Sequence, residues 1–275
     1  MEPEPVNERP VVVEDRKDVR WITLNRPHVH NAQTPEMIEM LCAAFNDCLL
    51  DPMPRAVVLT GAGRSFCSGH DTIQMSTDRQ YRQRMSSAEG RYREEQRLFV
   101  APVQTLRDLP MPTVCSVRGH CLATGLALAA AADLTIASET AVFGSSLIPQ
   151  LGINDSETPT FTLLVGERAA KQFLWLDDRL TAHDALRIGL VNWTVPDAEL
   201  EQRTSAVAER LSAVPRAALM LSKQTMRFMA DQRGEGAVGR FHYIAHQLSH
   251  HTDEARQVFG EYLRSQTQRR DEKEE

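Results

Sequence analysis

The sequence lacks the cysteine pattern of a disulfide-stabilised protein. Its 275 residues include five cysteines, an odd number without a CxxC pair, so reduced thiols are expected. An excess of positive charge is also missing, because 31 lysines and arginines stand against 37 acidic residues and give a net charge of −6. Binding to nucleic acid or to an anionic membrane surface is therefore not expected.

Long hydrophobic runs are missing too. The longest, around residues 122–132, is too short to span a bilayer and contains the small residues of a packed core helix. The first eight residues are acidic and proline-rich, unlike a secretory or mitochondrial targeting segment. We therefore predict a cytoplasmic protein without a membrane partner.

What the sequence does contain is a pair of glycine-bearing turns, each between a strand-like and a helix-like stretch. The first spans Gly61–Asp71 and the second spans Arg118–Leu126. The first turn of a helix has backbone N–H groups without internal partners, and such a junction directs them at one place. Two of these turns predict a two-donor pocket for an oxygen that becomes negative during reaction, as in enzymes that act on thioesters or similar carbonyls.

Strand-like and helix-like stretches alternate up to about residue 197, and the remainder is almost entirely helical. This order favours an α/β fold with a C-terminal helical module. Residues 1–10 are expected to be a disordered lead-in, and residues 266–275 a frayed, charged tail. The arginine-rich residues 76–108 are expected to be a mobile segment followed by a helix.

Several motifs, in a fixed order, extend the two turns into a family resemblance. They are Ile22-Thr-Leu-Asn-Arg-Pro with Asn31-Ala32, then Ala56-Val-Val-Leu-Thr-Gly, Phe66-Cys-Ser-Gly-His-Asp71, Pro112-Thr-Val, and Gly125-Leu-Ala-Leu with Ala132-Asp133-Leu. On these motifs the chain resembles the crotonase (enoyl-CoA hydratase/isomerase) superfamily over roughly residues 11–265. The resemblance implies a crotonase-like spiral of ββα units over 11–197 and a C-terminal helical trimerisation region over 198–268.

The resemblance also implies coenzyme A (CoA) thioesters as substrates, no separate cofactor, and a homotrimer or a dimer of trimers. In the family, two backbone N–H groups hold the thioester oxygen. One of them corresponds to Ser68 or His70, and the other to Thr124, where the family usually has glycine. The residues implied to contact the acyl-CoA are His28, His30, Ser68, Gly69, His70, Asp71, Ile73 and Thr124.

Two catalytic glutamates of the family's hydratases correspond to Ala127 and Leu147, which cannot transfer a proton. Asp155 corresponds instead to the catalytic aspartate of dienoyl-CoA isomerases and to the nucleophilic aspartate of chlorobenzoyl-CoA dehalogenases. We therefore predict an isomerase-type proton transfer by Asp155 on a thioester enolate, within fatty acid metabolism. Asp155 also fits a simple helix N-cap, and Glu157 is a weaker candidate base.

Two other functions stay open at this point. One is an atypical enoyl-CoA hydratase or an acyl-CoA thioester hydrolase that uses unusual groups. The other is a non-catalytic acyl-CoA-binding protein that keeps the pocket without its acids. The absence of both hydratase glutamates keeps this last function in consideration.

Three histidines, His242, His246 and His250, recur every four residues and so share one face of a predicted helix. The neighbouring sequence offers neither a carboxylate nor a cysteine to complete a zinc site. They are therefore interpreted as a polar interface stripe, and no metal site is predicted. His120 and Cys121, in the second glycine turn, are interpreted as packing residues.

Overall fold

The computed structural model describes residues 9–274 and contains two sheets. The larger sheet has the strand order β1-β2-β3-β4-β6-β9; β1 is antiparallel to β2, and the other neighbours are parallel. The smaller sheet has the order β5-β7-β8. The strands are β1 Val11–Arg16, β2 Val19–Leu24, β3 Ala56–Gly61, β4 Thr113–Val117, β5 His120–Leu122, β6 Leu134–Ser138, β7 Val142–Gly144, β8 Leu180–Thr181 and β9 Trp193–Val195.

Fourteen α-helices surround these sheets in the described part of the chain. They are α1 Pro35–Asp47, α2 Thr72–Thr77, α3 Arg79–Arg84, α4 Ala88–Glu95, α5 Ala101–Asp108, α6 Thr124–Ala131, α7 Leu147–Leu151, α8 Thr158–Val165, α9 Glu167–Leu176, α10 Ala182–Arg187, α11 Leu200–Ser212, α12 Arg216–Gln232, α13 Glu235–Ser249 and α14 Asp253–Glu274.

The larger sheet is covered on both faces, which explains the continuous apolar run in β3. Successive residues of a strand point to opposite faces. Val57 and Leu59 belong to the main core, whereas Ala56 and Val58 belong to a second core with residues of α11. The first helix of the predicted C-terminal region therefore packs directly on the sheet.

Local sequence explains how the chain leaves β2 and β3. Thr34 accepts a hydrogen bond from the Met37 N–H at 3.2 Å and so caps α1. Asn31, fully buried, places its amide nitrogen 2.7 Å from the Ser65 carbonyl and 3.1 Å from that of Phe66. This one side chain fixes the loop after β2 against the loop after β3.

Several sequence expectations need correction. Residues 266–274 continue α14, and residues 76–108 form short helices with a π-helical turn at Gln96–Val100. The alternation expected up to about residue 197 ends in β9, and the edge strand β1 has a weak sequence signal because four of its six residues are exposed. Most of the predicted lead-in, residues 1–8, lies outside the described residues. Among those described, no helix is long and apolar enough to cross a bilayer.

Candidate active site

The two glycine turns are joined by backbone hydrogen bonds. The Cys67 N–H donates to the His120 carbonyl at 2.9 Å, and the Leu122 N–H donates to the Cys67 carbonyl at 2.9 Å. These bonds form an isolated parallel bridge between Cys67 and Cys121. The segments that follow β3 and β4 therefore meet in one place, as the motif spacing predicts.

Small residues allow this close approach. Gly69 has φ +103°, and a Cβ atom there would lie 3.0 Å from the Ala123 Cβ. At Gly125 an added Cβ would lie 2.6 Å from the Cys67 carbonyl oxygen. Ala123 itself has φ 48° and ψ −117°, a strained conformation for a residue with a Cβ. Such a strained conformation persists only where surrounding contacts hold the backbone in place. Here it sets the direction of the first N–H group of α6.

Main-chain hydrogen bonding shows which N–H groups of this junction are available to a ligand oxygen. The Ser68 N–H donates to the His30 carbonyl at 3.0 Å. In the part of the chain that the structure describes, the N–H groups of His70 and Thr124 have no acceptor. Thr124 is the first residue of α6, where an N–H has no partner within the helix. The Ser68 N–H is therefore already used, and His70 with Thr124 are the candidate donors.

The His70 side chain lies beside the same donors. Its Nε2 shares a 2.6 Å hydrogen bond with the Thr124 hydroxyl, and its ring stacks on Phe99 with centroids 4.0 Å apart. Burial lowers the pKa of His70 to about 4, although the nearby Glu95 charge opposes this shift. The imidazole is therefore neutral at pH 7. Its Nδ1 is buried and has no partner among the described residues.

Asp155 is buried near the second turn. The Ser145 hydroxyl donates to one of its carboxylate oxygens, and the Glu157 N–H donates to the other at 2.8 Å. Burial raises the pKa of Asp155 above its ordinary value. The chain links this carboxylate to the second turn, because the Ala123 N–H donates at 2.9 Å to Gly144, the residue before Ser145. Helix α8 begins at Thr158 with Glu157 as its N-cap residue, and Glu157 makes no side-chain cap bond. The bond from the Glu157 N–H to Asp155 is therefore the local capping contact that the sequence also allowed for Asp155.

The pKa of Glu157 suits a general acid or base better than its position in the sequence suggested. Burial and the Asp155 charge raise the pKa of Glu157 to about 7, although the Thr160 hydroxyl donates to its carboxylate at 3.0 Å. A carboxyl group that titrates near neutral pH suits general acid–base chemistry. The hydratase positions offer nothing comparable, because Ala127 is a buried residue of α6 and Leu147 begins α7.

A cleft of about 330 Å³ lies beside the first turn and is lined by His30, Arg64, Ser65, Gly119, His120, Thr140 and Val142. The His30 ring contacts the Ser65 hydroxyl at 2.8 Å and the Arg64 guanidinium at 3.0 Å. Three basic side chains therefore face one cleft. Of these, only His30 was among the predicted CoA contacts.

Three other predicted CoA contacts, Asp71, Ile73 and His28, do not line this cleft. The Asp71 carboxylate pairs with Arg26 at 3.0 Å and caps α2 by accepting from the Gln74 N–H at 3.0 Å. Ile73 is half-buried in α2, and His28 is exposed and does not line the cleft. Asp71 therefore holds the turn in place through both of its oxygens.

Comparisons with known proteins agree with this geometry. The family model for enoyl-CoA hydratase/isomerase matches residues 14–269. The chain belongs to the enoyl-CoA hydratase/isomerase family. It is 32% identical over 242 residues to EchA13 of Mycobacterium tuberculosis, provisionally named an enoyl-CoA hydratase, a match that covers 83% of this chain and 76% of that protein.

Solved structures confirm the crotonase fold. An enoyl-CoA hydratase/isomerase from Xanthobacter autotrophicus Py2 is 27% identical, covers 96% of this chain and 98% of its own, and gives a TM-score of 0.85. A Mycobacterium smegmatis protein, provisionally described as an enoyl-CoA hydratase, is 31% identical, covers 88% and 94%, and gives a TM-score of 0.81. The resemblance drawn from the sequence motifs is thereby confirmed for family and fold.

The C-terminal histidines divide into two groups in this family member. His242 Nε2 donates to the backbone carbonyl of Asp155 at 2.7 Å. His246 and His250 instead meet the buried carboxylate of Glu95. The statement that no carboxylate accompanies these histidines is therefore wrong, because the fold brings Glu95 from α4 to α13.

Gly69→Ala tests the packing of the two turns, with Gly189→Ala as the matched control. Both glycines have positive φ, but only Gly69 has a neighbour within 4 Å of the added Cβ. We expect both variants to lose about 1–2 kcal/mol from backbone strain, and Gly69→Ala to lose roughly 1 kcal/mol more from overpacking. Urea unfolding measures the difference, and equal losses would contradict the close contact between the turns.

Glu157→Gln tests the environment of that carboxyl group. Because the folded protein binds this proton more tightly than the unfolded chain, the group's contribution to the free energy of unfolding falls as pH rises from 4.5 to about 7. We expect the variant to gain about 2 kcal/mol relative to the parent between pH 5 and pH 8. Denaturation at both pH values measures this gain. Glu139→Gln controls for loss of an exposed carboxylate, and an equal gain there would refute the assignment.

Proposed function

We propose that this protein is an acyl-CoA isomerase. It holds the thioester oxygen on the N–H groups of His70 and Thr124 and moves a proton between substrate carbons with the Asp155 carboxylate. The observation that carries the proposal is that the N–H groups of His70 and Thr124 lie on two turns packed together and have no acceptor among the described residues, so both are available to a ligand oxygen.

Asp155 and the two N–H groups have separate roles in the proposed reaction. The Asp155 carboxylate removes a proton from the carbon next to the thioester carbonyl; the C–H electron pair becomes the new C=C bond of the enolate, and the carbonyl oxygen takes the negative charge. The His70 and Thr124 N–H groups stabilise that charge, each by roughly 3–4 kcal/mol. The proton then returns from Asp155 to the γ-carbon, and the double bond moves by one position without net gain or loss of atoms.

A single carboxylate suffices for this chemistry, and this favours isomerisation over hydration. An isomerase returns to the substrate the proton that it removed, so one base serves both steps. Hydration also requires a group that activates water, and Ala127 and Leu147 supply none. The Ser145 hydroxyl and the Glu157 N–H hold the Asp155 carboxylate in one orientation, as a base with a fixed target requires.

The basic cleft supports a site for the phosphate groups of CoA. Arg64 is exposed and contacts His30, and the His30 and His120 rings lie edge to face with centroids 5.0 Å apart. A guanidinium beside two imidazoles favours a phosphate ligand, because charge-assisted hydrogen bonds to phosphate are strong. The cleft adjoins the first turn through Ser65, so one ligand can occupy both regions.

Self-association through the C-terminal helices is part of the proposal. Phe241, Ile244 and Leu248 of α13 share one helix face and are 74%, 62% and 68% exposed. Phe228 of α12 adds a further exposed aromatic ring. An apolar surface of this kind favours an interface between copies of the chain, in agreement with the predicted trimer or dimer of trimers. A cytoplasmic location stays a prediction.

Asp155→Asn tests the base. The parent protein, incubated with 3-enoyl-CoA and 2-enoyl-CoA in deuterated water, should exchange the proton next to the carbonyl and move the double bond. We expect the variant to lose 10²–10⁴-fold, roughly the contribution of one general base, while it binds a CoA thioester as tightly as the parent. Mass spectrometry of the recovered thioesters measures both events.

The other outcomes of that experiment decide between functions. Full activity in Asp155→Asn would show that another group is the base, and Glu157→Gln would then be assayed in the same way. Tight CoA-thioester binding without exchange or turnover in the parent would favour the non-catalytic binding protein. Water addition by the parent would favour the atypical hydratase.

Arg64→Ala tests the CoA phosphate site. We expect the dissociation constant for acetyl-CoA to rise about 10-fold, because a charged hydrogen bond of roughly 1.5 kcal/mol or more is lost. Binding of acetyl-pantetheine, which lacks the nucleotide phosphates, should not change. Calorimetric titration measures both constants, with the exposed Arg79→Ala on α3 as the control. A parallel loss for both ligands, or an equal loss in the control, would place the phosphates elsewhere.

A further inference from the structure

We propose that Glu95, His246 and His250 form a binding site for a divalent transition-metal ion, with Zn²⁺ as the best-fitting ion. One ligand atom from each of the three residues lies within 4.8 Å of the others. Two imidazoles with one carboxylate are a ligand set found in zinc proteins, whereas Mg²⁺ and Ca²⁺ prefer oxygen ligands. This inference does not depend on the proposed isomerase activity.

Two of the distances within the cluster are close to those between ligands of a tetrahedral zinc ion, and the third is slightly longer. His246 Nε2 lies 3.2 Å from Glu95 Oε2, His250 Nε2 lies 3.6 Å from Glu95 Oε1, and the two Nε2 atoms lie 3.3 Å apart. Two ligands that are each about 2.05 Å from a zinc ion at the tetrahedral angle are about 3.3 Å apart. The carboxylate offers one oxygen to each imidazole, and a fourth coordination position stays open for water.

Surrounding groups hold the ligands in the orientation that a metal needs. His246 Nδ1 donates to the Asn154 carbonyl at 2.5 Å, so the neutral ring carries its lone pair on Nε2, toward Glu95. The Gln247 amide donates to Glu95 Oε2. A hydrogen bond from the far nitrogen of a ligating histidine to a backbone carbonyl is the usual outer-shell arrangement of metal sites.

The buried carboxylate of Glu95 favours a cation at this place. The side chains of Glu95, His246 and His250 are 1%, 5% and 14% exposed, so the negative charge has little contact with water. The Glu95 carboxylate and the His246 Nε2 atom are both acceptors, and a cation bound between them would satisfy both in place of the proton on His250 Nε2. A proton on His246 is the competing occupant.

Arg91 is the other competing cation. Its guanidinium lies 3.4 Å from Glu95 Oε1 and 3.4 Å from His250 Nδ1, and its side chain is 26% exposed. Since it donates to His250 Nδ1, this ring carries its proton on Nε2 until the guanidinium moves away. Metal binding therefore displaces Arg91 toward solvent and transfers the His250 proton to Nδ1.

The ion would act on the loop that holds the candidate base. His246 is bonded to Asn154, the residue before Asp155, and Glu95 immediately precedes the π-helical turn that contains Phe99. Phe99 stacks on His70. A metal ion at this cluster would therefore join α13, the Asn154 loop and the helix beside His70 at one point.

The experiment uses the full chain, stripped with a chelator and titrated with Zn²⁺, Co²⁺ and Mg²⁺ at pH 7.5. We expect one equivalent of Zn²⁺ per chain with a dissociation constant of about 1 µM or tighter, the visible absorption of four-coordinate Co²⁺, and no response to Mg²⁺. Glu95→Gln and His250→Gln should weaken Zn²⁺ binding at least 100-fold, whereas His251→Ala, at an exposed neighbouring histidine, should leave it unchanged. Circular dichroism checks that each variant is folded.

A second variant keeps the test decisive if the ligand variants do not fold. Arg91→Ala removes the competing cation, so we expect it to tighten Zn²⁺ binding several-fold. If Arg91 and a proton are instead the native partners of Glu95, this variant will lower the melting temperature without any gain in metal affinity, and the proposal fails. It also fails if the parent binds no stoichiometric Zn²⁺. A third failing outcome is that the ligand variants bind Zn²⁺ as tightly as the parent, as His251→Ala is expected to do.

Discussion

The close contact between the two glycine turns is the constraint on which the rest of the site depends. Parallel strands β3 and β4 bring the two segments to the same edge of the sheet, and Gly69 against Ala123 lets their backbones approach. The N–H groups that point into the site belong to the backbone, so they depend on turn geometry and not on the side chain that carries them. This is why Thr124 can stand where the family usually has glycine.

The distribution of hydrogen bonds explains which donors remain for a substrate. The Ser68 N–H is used by His30, and this bond aligns the loop after β2 with the first turn. His70 and Thr124 keep their N–H groups, and their side chains bond to each other behind the donors. The His70 imidazole thus braces both turns while its own N–H stays available. Because the ring is neutral, it adds no charge that would compete with the substrate oxygen.

Sequence patterns predicted the elements whose signal is local. The two strand-to-helix turns and the alternation of strands and helices before the C-terminal helices follow from propensity and spacing. The choice between Ser68 and His70 could not be made, since it depends on a hydrogen bond to His30, 38 residues away. Glu95 could not be assigned to the histidines for the same reason, although their four-residue spacing was visible.

If Ala127 and Leu147 occupy the two hydratase glutamate positions, as the sequence predicts, acid–base chemistry must come from another part of the site. With Ala127 and Leu147 in place, the walls formed by α6 and α7 are apolar at those positions, and the titratable groups lie on the loop of Asp155 and Glu157. That loop has no regular structure of its own, so its position depends on α13: His242 donates to the Asp155 carbonyl, and His246 donates to that of Asn154. The proposed base is therefore positioned by the C-terminal helices, while the proposed oxyanion donors are positioned by the sheet. Because the two halves of the site rest mainly on separate elements, a change in the packing of α13 would move the candidate base more than the candidate donors.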